Sequence, residues 1–208
     1  MPESDKQTLL THLEGSDVTA TSLLLYDKKS ANTFPGIHVT NTKFGDILFN
    51  DLLTQLPFNL GEMHGKRNCL YYSKIKYSYG NITHAPSELP SPPVLLKIKS
   101  LLADYLPTFK YNSILIQHYQ ADGKLSVHGD TEDTICENSW IMSISFGNPR
   151  FMAFSNKSYE IIGKCLMNHG DMIIISKSSQ KTFLHGIMQS HLNHTGTRIS
   201  LTLRLLKK

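Results

Sequence analysis

Arg198-Ile199-Ser200-Leu201-Thr202-Leu203-Arg204 alternates strictly between apolar and polar residues. Successive side chains of a strand leave opposite faces, so Ile199, Leu201 and Leu203 share one face and Arg198, Ser200, Thr202 and Arg204 the other. The same period of two runs through 113–119, 140–146, 150–155, 160–167, 171–176 and 182–187, and the last run extends over 198–206. Seven short strands punctuated by turn residues indicate a sandwich or jelly roll over 113–206.

Upstream the period changes. Phe44, Ile47, Leu48, Leu52 and Leu56 follow helical spacing until Pro57 stops them, and Val94, Leu95, Ile98, Leu101, Leu102 and Tyr105 do the same between flanking prolines. Two helices then precede the strands and cover one sheet's outer face, an α+β but mainly β class. Residues 1–21 are polar without a sustained period and are expected to be loosely ordered. Between the helices, 62–86 interleaves Lys66, Arg67, Lys74 and Lys76 with Tyr71, Tyr72, Tyr77 and Tyr79 around a Gly80-Asn81 turn, a basic and aromatic β segment.

The chain of 208 residues is long enough for one core, and one domain is expected. Its 40% hydrophobic and 18% charged residues are those of a globular protein, with no run long enough to span a membrane. The opening residues lack the order of a secretory signal, so the cytoplasm is the expected compartment. Cys69, Cys136 and Cys165 are an odd set without CxxC spacing, read as reduced packing residues. A net charge of +4 favours a polyanionic partner without requiring one.

His128-Gly129-Asp130 puts an imidazole and a carboxylate two residues apart, on one side of an extended backbone, where both can reach one ion. Alone, the triplet is equally a surface turn. His185, in Phe183-Leu184-His185-Gly186-Ile187, would complete two histidines and a carboxylate, a set that leaves open positions on Fe(II) and that also serves zinc in hydrolases. The arginine strand separates these readings. Arg198 and Arg204 lie roughly 20 Å apart along one face, and their planar forks could close on a small dicarboxylate between them. The plain alternative is an edge strand with solvated arginines.

Several ordered segments carry a resemblance. They are Gln117-His118-Tyr119, the run from Lys124 through His128 and Asp130 to Asp133, Ile141 to Phe151, Gly170 to Ile175, Leu184 to Ile187, and the Arg198 strand. Over about 60–206 they resemble the AlkB family of Fe(II)- and 2-oxoglutarate-dependent dioxygenases, which remove alkyl groups from nucleic acids. The wording is most similar to AlkB domains in plant and fungal RNA-virus replication proteins.

The resemblance implies a double-stranded β-helix with Fe(II) held by His128, Asp130 and His185, which form the catalytic centre. It implies that Arg198 salt-bridges the distal carboxylate of 2-oxoglutarate, that Tyr119 hydrogen-bonds it, and that Arg204 lies near the metal-proximal end. Gln117 and Ser200 stand where many members have Asn, so their co-substrate contacts are altered or shorter.

It further implies that 62–86 is a nucleotide-recognition lid. Arg67, Tyr71, Tyr72, Tyr77 and Tyr79 would then bind substrate, with Glu132 beside the methylated base or else solvated. Dioxygen is the second co-substrate, and ascorbate keeps the iron reduced in assays. The implied reaction is oxidative demethylation of 1-methyladenine or 3-methylcytosine in single-stranded RNA or DNA, RNA favoured, by a monomer in the cytoplasm, the host's if viral. Two rivals stand beside it: an oxygenase of proteins or small molecules, and a non-catalytic nucleic-acid-binding module. His118, His169, His191 and His194 are read as loop or strand-surface residues.

Overall fold

The alternating run becomes β13 (Arg198–Arg204), which lies inside a large sheet with neighbours on both sides. The computed structural model describes residues 36–87, 90–189 and 196–208. The 1–21 segment, His191 and His194 lie outside these.

Among the described residues, in chain order, come first β1 (Ile37–Asn41), α1 (Phe44–Gln55) and a 3-10 turn (Phe58–Leu60). There follow β2 (Glu62–His64), β3 (Arg67–Tyr72), β4 (Tyr77–Tyr79), β5 (Ile82–His84) and α2 (Pro93–Tyr105). The second half holds β6 (Ser113–Tyr119), β7 (Leu125–His128), β8 (Trp140–Gly147), β9 (Arg150–Ser155) and β10 (Ile161–Met167). It closes with β11 (Asp171–Ser176), the short α3 (Lys177–Gln180), β12 (Leu184–Ile187) and β13.

Among the described residues seven strands form one sheet in the order β1-β11-β8-β13-β6-β3-β2, four form a second in the order β10-β9-β12-β7, and β4 and β5 make a separate hairpin. The architecture is a double-stranded β-helix. Its interior is built where Tyr119, Ile173 and Ile175 of the large sheet meet Met152, Phe154 and Ile187 of the small one.

The large sheet's other face is covered by both helices. Leu48, Leu52, Val94, Ile98 and Leu102 pack there against Ile116, Ile144, Ile199, Leu201 and Leu203. The helical spacing therefore reads the buried stripe correctly except at Ile47, which lies on the solvent side of α1 and is exposed. Leu48 is 0% exposed in this layer. Leu48→Ala is expected to cost about 2–5 kcal/mol, measurable by urea denaturation, because the rigid sheet beneath cannot collapse into the cavity.

The strands at 37–41 and 125–128 escape the periodicity reading, since each is short and one is half exposed. The predicted lid divides. β2 and β3 are the edge of the seven-stranded sheet, and only the β4–β5 hairpin stands apart from it. No helix among the described residues is long and apolar enough to cross a membrane.

Candidate active site

Antiparallel pairing decides what faces the Arg198 side chain. β13 pairs with β6 so that Arg198 lies opposite Tyr119 and Ser200 opposite Gln117. On the other side β8 brings Ser145 opposite Ser200. Directly opposed residues share a face, so one cavity is lined by Gln117, Tyr119, Arg198, Ser200 and Arg204 together with His128, Asp130 and His185.

The candidate metal-binding set comes from two strands of the small sheet and the loop after one of them. β7 and β12 are antiparallel with His128 opposite His185, and the ring centroids are 4.6 Å apart. Gly186 allows this approach, because a Cβ there would stand 2.6 Å from the Leu125 carbonyl oxygen. Asp130 follows β7 and is 1% exposed. His128 Nε2 is 3.9 Å from Asp130 Oδ1 and His185 Nε2 is 3.8 Å from Oδ2.

His128 Nδ1 lies 2.9 Å from the Ser126 carbonyl oxygen, to which it donates, and this leaves Nε2 free to ligate. Burial, followed by the neighbouring His128, lowers His185 to about 3, so its ring is neutral as a ligand requires.

Asp130 is held on several sides. Its backbone N–H donates to Gln180 Oε1 at 2.7 Å, and Arg204 Nη2 donates to Oδ1 at 2.8 Å. The Tyr77 hydroxyl lies 3.3 Å from both Oδ1 and Glu132 Oε2. Burial would raise the Asp130 carboxyl, but Arg204, His128 and His185 outweigh it and hold it well below the usual carboxylate range. Oδ2 is buried with no hydrogen-bond partner. An ionised, buried oxygen without a partner beside two imidazoles is what a divalent cation satisfies, so the donor set fits Fe(II).

The co-substrate pocket passes a similar test. Arg198 is 0% exposed, donates from Nη2 to Ser145 Oγ at 3.0 Å and stacks its guanidinium 4.6 Å from the Tyr119 ring centroid. Its Nε and Nη1 have no partner, and no ion pair to it occurs among the described residues. A buried cation in that condition calls for an anion from outside the chain, and a carboxylate of 2-oxoglutarate meets the requirement. The Tyr119 hydroxyl donates to Gln117 Oε1 at 3.0 Å.

The predicted substrate residues are less uniform. Tyr72 is a correction: alternation along β3 turns it, with Leu70, into the helix-covered core, away from the site. Tyr71 is buried on the opposite face, and its hydroxyl donates to the Ile75 carbonyl at 2.7 Å. Tyr77 is buried against Asp130 instead of open to a base. Tyr79 alone among these tyrosines lines both the cavity and the groove outside it. Arg67 is buried at the same groove with Nε and Nη1 unpartnered. Burial raises the Glu132 carboxyl, with Asp130 adding to the shift.

His169 lies on the loop between β10 and β11, as expected, with its side chain about one third exposed, whereas His118 is a half-buried residue of β6. His118 packs 4.6 Å from the Phe58 ring, and His169 Nδ1 accepts the Gly147 N–H at 2.9 Å. Gln180 and Ser145 carried no sequence signal, since their importance lies in which distant group they meet.

Residues 51–204 match the family model of the 2OG-Fe(II) oxygenase superfamily, and the chain belongs to that superfamily. It is 25% identical over 171 residues, 81% of its length, to the RNA replication polyprotein of Apple stem pitting virus (isolate PA66). The match spans 7% of that polyprotein. The fold is shared with OsALKBH1 at a TM-score of 0.59 and 18% identity, over 82% of this chain and 98% of that one. The protein is thus an Fe(II)- and 2-oxoglutarate-dependent dioxygenase with an AlkB-like fold.

Proposed function

We propose that this dioxygenase demethylates 1-methyladenine and 3-methylcytosine in single-stranded nucleic acid, with RNA preferred to DNA. The observation that carries the reading is the groove lined by His64, Lys66, Arg67, Tyr79 and Lys124, which runs to His128 at the candidate metal site. Cations spaced along a groove hold phosphates, and an aromatic face among them stacks an unpaired base. A base must leave its stack to enter such a cavity, which favours single strands. RNA is favoured because the viral relative is named for RNA replication.

Bound Fe(II) and 2-oxoglutarate supply the oxidising chemistry, in which dioxygen is consumed, 2-oxoglutarate becomes succinate and carbon dioxide, and the hydroxylated methyl group leaves as formaldehyde. His128, Asp130 and His185 hold the metal, and Arg204 with Tyr77 fixes the Asp130 carboxylate. Arg198 and Tyr119 orient the co-substrate. Tyr79 stacks the base at the mouth. Glu132, behind Tyr77, favours the positive charge that N1-methylation places on adenine and N3-methylation on cytosine.

The test is an assay of succinate and formaldehyde with 1-methyladenine in matched RNA and DNA oligonucleotides. Formaldehyde equal to succinate, formed faster on RNA, is expected. Tyr79→Ala should lower oligonucleotide turnover about 5- to 150-fold, the loss of roughly 1–3 kcal/mol of stacking, while 2-oxoglutarate consumption without oligonucleotide persists. Succinate without formaldehyde on either strand would move the substrate to another class, and equal rates would remove the RNA preference.

A further inference from the structure

A second pair of histidines with a carboxylate stands apart from His128, Asp130 and His185, although one of its members, His64, also lines the outer groove. Glu62 and His64 are alternate residues of the edge strand β2, so both side chains leave the same face, with the exposed Met63 between them. His84 ends β5, in the hairpin that stands apart from that sheet.

Folding brings the three together. His64 Nε2 lies 3.2 Å and His84 Nδ1 3.5 Å from the same oxygen, Glu62 Oε2. The imidazole planes cross at 84° with centroids 5.6 Å apart, and one ligand atom from each residue lies within 4.8 Å of the others. Two ligands each about 2.0–2.1 Å from a tetrahedral zinc ion lie about 3.3 Å from one another, a spacing bracketed by the 3.2 and 3.5 Å separations from Glu62 Oε2 to the two imidazoles.

We propose that Glu62, His64 and His84 bind a zinc ion that fastens the β4–β5 hairpin to the edge of the seven-stranded sheet. Two imidazoles and one carboxylate are zinc donors, and water completes the fourth position. Glu62 is 58% exposed, which gives the ion its entry, whereas His84 is 2% exposed. Burial lowers His84 to about 4, so its ring is neutral at physiological pH.

The consequence reaches the iron site through the hairpin. β4 carries Tyr77, whose hydroxyl touches Asp130, and Tyr79, at the mouth of the cavity. An ion joining β2 to β5 sets where these two rings stand. Without the ion, a hydrogen-bonded Glu–His pair on an exposed strand is a weak tie.

The two metal sites are separated by working in the His128→Ala/His185→Ala variant, which removes two iron ligands. Stripped of metal and titrated with Co(II) or Zn(II), it is expected to bind one equivalent, Co(II) showing the visible absorption of a tetrahedral ion, and Zn(II) is expected to raise its melting temperature. Adding Glu62→Gln or His64→Gln should abolish all three effects, with folding confirmed by circular dichroism because both side chains are partly exposed. In the otherwise wild-type chain, Glu62→Gln should lower saturating Zn(II) content from two equivalents to one. No bound ion in the double variant and no change in wild-type stoichiometry on Glu62→Gln, or an equivalent retained after Glu62 and His64 are both replaced, would overturn the site.

Discussion

Asp130→Ala is expected to abolish 2-oxoglutarate turnover and to lower the stability of the metal-free protein by about 3–5 kcal/mol, the cost of breaking a buried ion pair from one side. The loss of turnover follows from removing the carboxylate that faces both His128 and His185. The loss of stability follows from Arg204, which is 5% exposed and keeps its charge against Asp130 Oδ1 at 2.8 Å. Burial disfavours that guanidinium, and Asp130 more than offsets the penalty, so its pKa lies above the usual arginine value. Alanine leaves the cation in place with its counter-charge gone.

The two effects separate in a double variant. Asp130→Ala/Arg204→Met removes both charges and should recover most of the stability in urea unfolding, while turnover stays absent. A single Asp130→Ala variant as stable as the wild type would show that Arg204 does not depend on this carboxylate.

Arg198→Met should behave in the opposite way. Its guanidinium has two nitrogens without partners and no ion pair among the described residues. Without co-substrate it is a buried charge with only the Ser145 hydroxyl and the Tyr119 ring to compensate it. An apolar side chain of similar length should leave the metal-free, co-substrate-free protein as stable or more so.

Binding of 2-oxoglutarate should suffer instead. Truncating one side of a buried charge pair costs about 2–5 kcal/mol, roughly a 30- to 5000-fold rise in the dissociation constant measured by calorimetry. Iron content should be unchanged. A variant that binds 2-oxoglutarate as tightly as the wild type would mean that another group holds the distal carboxylate.

Both predictions concern residues whose direction is legible in the amino-acid order alone. Arg198, Ser200 and Arg204 face one way because alternation is a property of the local backbone, and the observed register places them in the common cavity. His128 and Asp130 come together for a related reason, their spacing of two. The Tyr71 and Tyr72 pair shows where such reasoning stops. Alternation says that they face opposite ways, but both faces of β3 are covered, one by the helices and one by the hairpin. Composition cannot tell an aromatic buried under a helix from one meant to stack on a base.

By itself, then, the sequence determined the strand-rich second half, the two covering helices, the pairing of His128 with Asp130 and the common face of the two arginines. Each rests on periodicity or on neighbours within a few residues. Tertiary structure alone decided that Arg204 would hold Asp130, 74 positions away, and that Tyr77 would approach it from 53 positions away. It also decided that Gln180 would receive the Asp130 N–H and that His84 would meet Glu62 and His64. These contacts depend on which strands become neighbours and in what register, set by the burial of the whole apolar surface at once.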